Sequence, residues 1–310
     1  MTSKASVRPL AALALLVLAL AACGGSDGAA DEAPETTVAT TTTAAAPAGD
    51  AGLFAFDRAA PLELTEGETA QQPEFTAKAM SYASPGGDRV PGIVLLPKAK
   101  ATASRAAVIF MHGAGGSRVD FLGDASELAK KGAVTLTIDS PFARSESEQV
   151  RAGSVAPDTA HELMVQNVKD LLRGLDVLVE EYDADPERLA VVGYSMGVQQ
   201  AATAAALDDR VRAVVLIAGR ANPSRTPGDA GWARQFRSID TVHFAPELSP
   251  ASVLVQGGER DTIVPRAELE ELYEAASEPK ELRWYDSGHE MSPKAGRERV
   301  AWLIEELGLD

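Results

Sequence analysis

Cysteine is nearly missing from this chain: Cys23 stands alone among 310 residues. A single thiol excludes an intramolecular disulfide framework and any zinc site built mainly from cysteine. Histidine is scarce as well, with 4 in the chain, so a His-rich metal cluster is poorly supplied. Basic residues fall short of acidic ones, 29 Lys+Arg against 45 Asp+Glu, for a formal net charge of −16. That balance argues against a nucleic-acid binder, which needs a basic surface to neutralise phosphates. It argues equally against a protein held to anionic lipid by a polybasic patch. No internal repeat is visible. What is present is a chain 45% hydrophobic and 24% charged, apolar enough to bury a substantial core.

The first residues read as an address and an anchor. Lys4 and Arg8 form a positive start, and Leu10 to Ala22 contains only Leu, Ala and Val. This run is shorter than the ~20 residues that span hydrocarbon and suits the core of a secretory signal. It ends in Leu20-Ala21-Ala22-Cys23, which resembles the lipobox of bacterial lipoproteins, where the cysteine is acylated and becomes the new N-terminus. Ordinary cleavage after Ala19-Leu20-Ala21 is the plainer alternative. The lipobox reading implies a signal over residues 1–22, an anchor on Cys23, and a location on the outer face of the bacterial cytoplasmic membrane. Two acyl chains would hold it stably, at about 0.8 kcal/mol per buried CH₂. Loss of residues 1–22 removes two bases and no acid, taking the charge from −16 to −18. Such an acidic domain is repelled by anionic lipid. Residues 23–72, rich in Ala, Thr, Gly, Pro and acids toward their start, read as a disordered tether that holds it clear.

Residues 73–310 alternate as one α/β domain. Glu74–Ala83 and Arg89–Pro97 flank the turn signal Ser84-Pro85-Gly86-Gly87-Asp88 and read as an antiparallel hairpin. Buried-type strands over 106–111, 133–138, 188–193, 211–218, 252–256 and 282–285 then alternate with helical patterns over 121–131, 157–182, 197–207, 266–276 and 293–307. Strands separated by helices imply right-handed crossovers and a doubly wound, largely parallel sheet. The irregular stretch 219–250 is the one insertion long enough to form a small lid.

The chemistry gathers at strand ends. Gly193-Tyr194-Ser195-Met196-Gly197 is a G-x-S-x-G pattern that follows an apolar run and opens a helix, the context of a nucleophile elbow. Its turn is tight enough to require Gly193 and Gly197. A serine needs a base, and the base an orienting acid, in the chain order Ser, acid, His. His289, in Ser287-Gly288-His289, follows a strand directly, whereas His243 lies in the irregular stretch; His289 is the favoured base. Asp261 sits just past the strand 252–256 and is the favoured acid. Asp286 is too close to His289 in sequence to fold back onto it, and Asp240 stays in reserve.

Together these motifs resemble the α/β-hydrolase superfamily and, within it, the dienelactone-hydrolase-like esterases. The resemblance rests on the elbow at Ser195, Gly258-x-x-Asp261-x-x-Val264-Pro265, Ser287-Gly288-His289, and the early His112-Gly113-Ala114-Gly115-Gly116. It implies that Ser195, Asp261 and His289 form a triad and that the backbone N–H groups of Met196 and Ala114 form the oxyanion hole. Gly113 shapes that loop, and His112 is structural. Dienelactone hydrolases proper carry a cysteine nucleophile, so Ser195 leaves the lactone substrate behind while ester hydrolysis carries over. That chemistry calls for no metal or organic cofactor, takes a small-molecule ester, and should fail at acid pH as the base protonates. Phe142, Trp232, Phe236 and Phe244 could line a substrate pocket or simply pack. A prolyl-oligopeptidase-like serine peptidase and a catalytically vestigial, lipid-anchored binding protein remain as alternatives.

Overall fold

The computed structural model describes residues 49–98, 105–226 and 230–309. The expected signal over residues 1–22, the anchor Cys23 and the tether as far as residue 48 lie outside them. Among the described residues, nine strands form one sheet: β1 (Thr65–Gln71), β2 (Phe75–Ala83), β3 (Arg89–Pro97), β4 (Arg105–Met111), β5 (Val134–Ile138), β6 (Ala184–Tyr194), β7 (Val211–Ile217), β8 (Ser252–Gly258) and β9 (Lys280–Tyr285). Their order is β1-β2-β3-β5-β4-β6-β7-β8-β9. From β5 to β9 the neighbours are parallel, and β1, β2 and β3 join them antiparallel. The chain winds one way from β4 to β5 and then returns to β6 on the other side of β4. A crevice opens at such a reversal of strand order, at the carboxyl ends of the strands.

Helices α1 (Leu122–Lys130), α2 (Pro141–Arg144), α3 (Glu148–Arg151), α4 (Pro157–Tyr182), α5 (Gly197–Ala206), α6 (Ala230–Phe236) and α7 (Arg266–Ala275) connect the strands, and α8 (Pro293–Glu306) follows the last of them. The central strands are buried on both faces, and their side chains alternate between two cores. In β4, Ala107, Ile109 and Met111 join the core built with α4, α5 and α7. Ala106, Val108 and Phe110 join the core built with α1 and α8. The long helix α4 starts on Pro157, whose missing N–H costs nothing in a first turn, and stops at Asp183 in the left-handed region. Its stripe Val168, Leu171, Leu172, Leu175 and Leu178 is buried.

Between residues 49 and 72, where the composition predicts tether, the chain folds onto the domain instead. Phe54 and Leu62 are buried in the first core. Arg58 reaches Asp176 at 2.5 Å and Asp208 at 2.9 Å. Strand β1 then pairs with β2 as an exposed edge. Leu53, Phe56 and Leu64 pack partly buried against the same core, so five large apolar side chains and one guanidinium offset the ordering entropy of this segment.

Candidate active site

The strand β6 ends at Tyr194, and Ser195 follows with φ of +53°, a left-handed conformation that a serine adopts only under constraint. The constraint is the immediate start of α5 at Gly197. A Cβ on Gly193 would lie 2.4 Å from the Gly197 carbonyl oxygen, so the elbow closes too tightly for a side chain there. A Cβ on Gly197 would lie 2.6 Å from the Met111 carbonyl oxygen. That second clash is with the neighbouring strand β4, so one glycine is required by the turn and the other by the close approach of α5 to the sheet.

The loops after β8 and β9 bring the other two groups to the same rim. His289 Nε2 lies 2.8 Å from Ser195 Oγ, and its Nδ1 lies 2.8 Å from Asp261 Oδ2. The other carboxylate oxygen of Asp261 accepts the backbone N–H groups of Ile263 at 2.8 Å and Val264 at 3.0 Å. Both oxygens are therefore committed, which leaves Asp261 one way to face His289. The two loops are also tied to each other, since the N–H groups of Glu259 and Arg260 donate to the carbonyls of Tyr285 and Ser287. Asp286 instead points outward and pairs with Arg260. Asp240 is buried elsewhere, accepting the Ser224 N–H at 2.8 Å and hydroxyl at 2.5 Å. His243 is not brought to this rim: it ends a short turn at Thr241–His243, next to Asp240.

The loop after β4 supplies the facing wall. His112 Nε2 accepts the Ser140 N–H at 3.0 Å, so its proton is on Nδ1, which donates to the Gly113 carbonyl at 2.7 Å. With that carbonyl drawn toward the ring, the trans peptide turns the Ala114 N–H to the opposite side. Ala114, Met196 and Ser195 line one cavity. Among the described residues, neither the Ala114 nor the Met196 N–H makes a hydrogen bond within the protein. Gly113 is packed against the elbow, where a Cβ would come within 3.1 Å of Ser195 Cβ. Arg118 clamps the same loop to the end of β5, pairing with Asp139 through its guanidinium and donating its backbone N–H at 2.7 Å.

Two contributors carry no sequence signal of their own. Tyr194 donates its hydroxyl to the His289 carbonyl at 3.1 Å, and its ring lies 5.2 Å from the imidazole. The Arg118–Asp139 pair is invisible because its partners are 21 residues apart. Gly258, which opens the motif around Asp261, admits the His289 loop, since a Cβ there would meet the Gly288 carbonyl oxygen at 2.4 Å. Phe142, Trp232 and Phe236 do line the cavity beside Ser195. Phe244 does not; it packs edge-on against Phe54 in the core.

Residues 90–295 match the model of the dienelactone hydrolase family. The chain belongs to that family. Its fold is that of the α/β-hydrolases, and several solved structures share it. An acetyl xylan esterase from Paenibacillus sp. R4 aligns with a TM-score of 0.68 at 21% identity, over 79% of this chain and 89% of that one. Acetyl xylan esterase 1 from Thermoanaerobacterium sp. JW/SL YS485 aligns with a TM-score of 0.66 at 17% identity, over 80% of this chain and 89% of that one. A prolyl endopeptidase aligns at 0.62 and 17% identity, over 78% of this chain but only 40% of its own. At these identities the likeness is one of fold. Membership of the dienelactone hydrolase family makes this chain an ester hydrolase.

Proposed function

We propose that this family member is a serine carboxylesterase, working through an acyl-enzyme on small-molecule esters at the outer face of the bacterial cell envelope. The observation that carries the reading is the unbroken relay from Ser195 Oγ through His289 to Asp261, with both links at 2.8 Å. His289 Nε2 takes the Ser195 proton as Oγ adds to the ester carbonyl carbon. Asp261 holds the Nδ1–H and stabilises the imidazolium. The carbonyl oxygen gains the negative charge, and the Met196 and Ala114 N–H groups supply two donors for it, commonly the largest catalytic contribution. As the C–O bond breaks, His289 returns its proton to the departing alcohol. A water molecule then gives a proton to His289 and adds to the acyl carbon. Collapse of that second intermediate frees the carboxylic acid and restores the Ser195 hydroxyl.

The location rests on Cys23 in its lipobox-like setting and on the acidic balance of the chain. Among the described residues no helix is long and apolar enough to cross a membrane. Fluorophosphonate labelling combined with a panel of p-nitrophenyl esters and peptide amides tests the chemistry. The expected result is labelling that disappears in Ser195→Ala, with ester hydrolysis falling by at least about 10⁴-fold. Faster cleavage of the amides would favour a peptidase, and absence of both labelling and turnover would favour a binding protein.

A further inference from the structure

Beside Ser195 lies a cavity of about 530 Å³. Phe142, Ala160, Met164, Trp232, Phe236 and Ile263 give it an apolar wall. Phe236 is fully buried, Ala160 and Met164 nearly so. The wall is also held still. Trp232 stacks on Phe236 at 3.9 Å with 11° between the rings, and His161 meets Phe236 edge-on at 5.9 Å. The Trp232 indole N–H donates to the Pro223 carbonyl at 3.0 Å, which sets the plane of the ring.

Several polar groups in the lining have partners within the protein. Gln199 donates to the Ile239 carbonyl at 3.1 Å and accepts from Gln200 at 3.0 Å. Arg151 donates to the Ser145 and Glu146 carbonyls, and Arg220 to the Ile263 carbonyl at 2.8 Å. Ile263 itself is 56% exposed, which places it at the mouth.

The cavity lies on one side of the scissile bond. Ser195, Met196, Ala114 and Gly115 line it, and His289 is not among its lining residues. The departing alcohol oxygen must come within about 3 Å of a general acid. The alcohol half of the ester therefore lies on the His289 side, outside the cavity, and the acyl half enters it. An acetyl group would leave most of this space empty.

We propose that the cavity is an acyl pocket for uncharged chains of medium length, butanoyl to octanoyl, with Trp232 and Ala160 limiting that length and the alcohol half selected only loosely. This rests on the acyl-enzyme reading above. Each added methylene that reaches the apolar wall should raise kcat/KM by about fourfold. The gain should stop where the chain meets the wall.

The test is kcat/KM for p-nitrophenyl acetate, butanoate, hexanoate, octanoate and dodecanoate, together with a hexanoate-length ester ending in a carboxylate. The purified protein, Trp232→Ala and Ala160→Leu are compared. The expected result is a maximum between butanoate and octanoate, moved to longer chains by Trp232→Ala and to shorter ones by Ala160→Leu. The second variant narrows the pocket without removing an aromatic wall, so it keeps the test open if Trp232→Ala does not fold. A maximum at acetate, a preference for the terminal carboxylate, or a maximum that neither variant moves would overturn the proposal while leaving the esterase standing. Failure to hydrolyse any ester, with no fluorophosphonate label on Ser195, would overturn the underlying reading instead.

Discussion

Two of the carboxylate networks in this molecule differ in their partners, which make one chemical and the other mechanical. At the strand ends, Asp261 faces an imidazole whose other nitrogen reaches a serine hydroxyl. Behind α4 and α5, the side chains facing Asp176 and Asp208 are guanidinium groups, and Asp208 takes the Arg210 backbone N–H as well. Asp176 meets Arg58 at 2.5 Å and Arg210 at 2.7 Å, with Arg173 at 3.5 Å. Asp208 meets Arg58 at 2.9 Å and Arg210 at 2.6 Å. The carboxylates of both networks are buried, and by number of charges the second is the more conspicuous. Yet a guanidinium does not give up its proton, so that network has nowhere to pass one. An imidazole can take a proton and return it, so the smaller network can run a reaction.

Substitutions on the two sides should separate these roles. Asp261→Asn keeps the shape of the acid but offers its amide or carbonyl in place of a second acceptor oxygen, favouring the wrong imidazole tautomer. A loss of about 10⁴-fold in kcat is expected, with the melting temperature nearly unchanged. A loss below tenfold would remove Asp261 from the relay. Asp208→Asn should do the reverse. Taking one partner from a buried charge network costs about 3 kcal/mol, the low end of the range because Arg58 and Arg210 keep some contact with water. That corresponds to a fall in melting temperature of about 6–12 °C, with kcat of the folded protein unaltered. Burial alone would raise the Asp208 pKa, but its hydrogen bonds to Arg210 and Arg58 outweigh that and hold it below the ordinary carboxylate value. A depressed folded pKa stabilises above the unfolded value of about 3.9 and ceases to do so as pH falls through the folded value. The stability gap between wild type and Asp208→Asn should therefore close in that acid range. A gap that stayed constant down to unfolding at low pH would show that the network owes nothing to the charge of Asp208.

The same contrast explains what the sequence made legible. The site was readable because each of its parts is local: Gly193 to Gly197 encodes one turn, Gly258 to Pro265 another, and Ser287-Gly288-His289 a third. Each follows a strand marked by its own apolar run, and chain order supplied the assembly. The Arg58 network has no such signature, since its partners lie 118 and 150 residues away and none belongs to a motif. Strand β1 was equally hidden. Its residues Thr65–Gln71 are exposed along their whole length, so they show no alternation, and pairing with β2 alone gives them their form. Trp232 and Phe244 illustrate the limit for side chains. Both are aromatic and sit in one irregular stretch, yet one lines the cavity and the other fills the core against Phe54. That division depends on Phe54, in a segment whose composition reads as tether.

Tyr194 offers the finest test, because it belongs to the catalytic side through position alone. Its hydroxyl donates to the His289 carbonyl, and it stands next to Ser195 in the chain, so one residue links the nucleophile's strand to the base's loop. Burial first, and then the nearby carboxylates Glu290, Asp261 and Asp120, push its phenol up to about 12, so it remains a donor across the range in which the enzyme would be assayed. Tyr194→Phe removes this bond while keeping the ring against the imidazole. A net hydrogen bond of this kind contributes about 1 kcal/mol, and if it is spent on holding His289 in place the loss is about fivefold in kcat. KM should stay level, because Tyr194 does not line the acyl cavity. The size of the kcat loss should not vary with pH, since the phenol does not ionise there. A fall in melting temperature with kcat unchanged would make Tyr194 a packing residue, and the line between the two networks would then run at His289 itself.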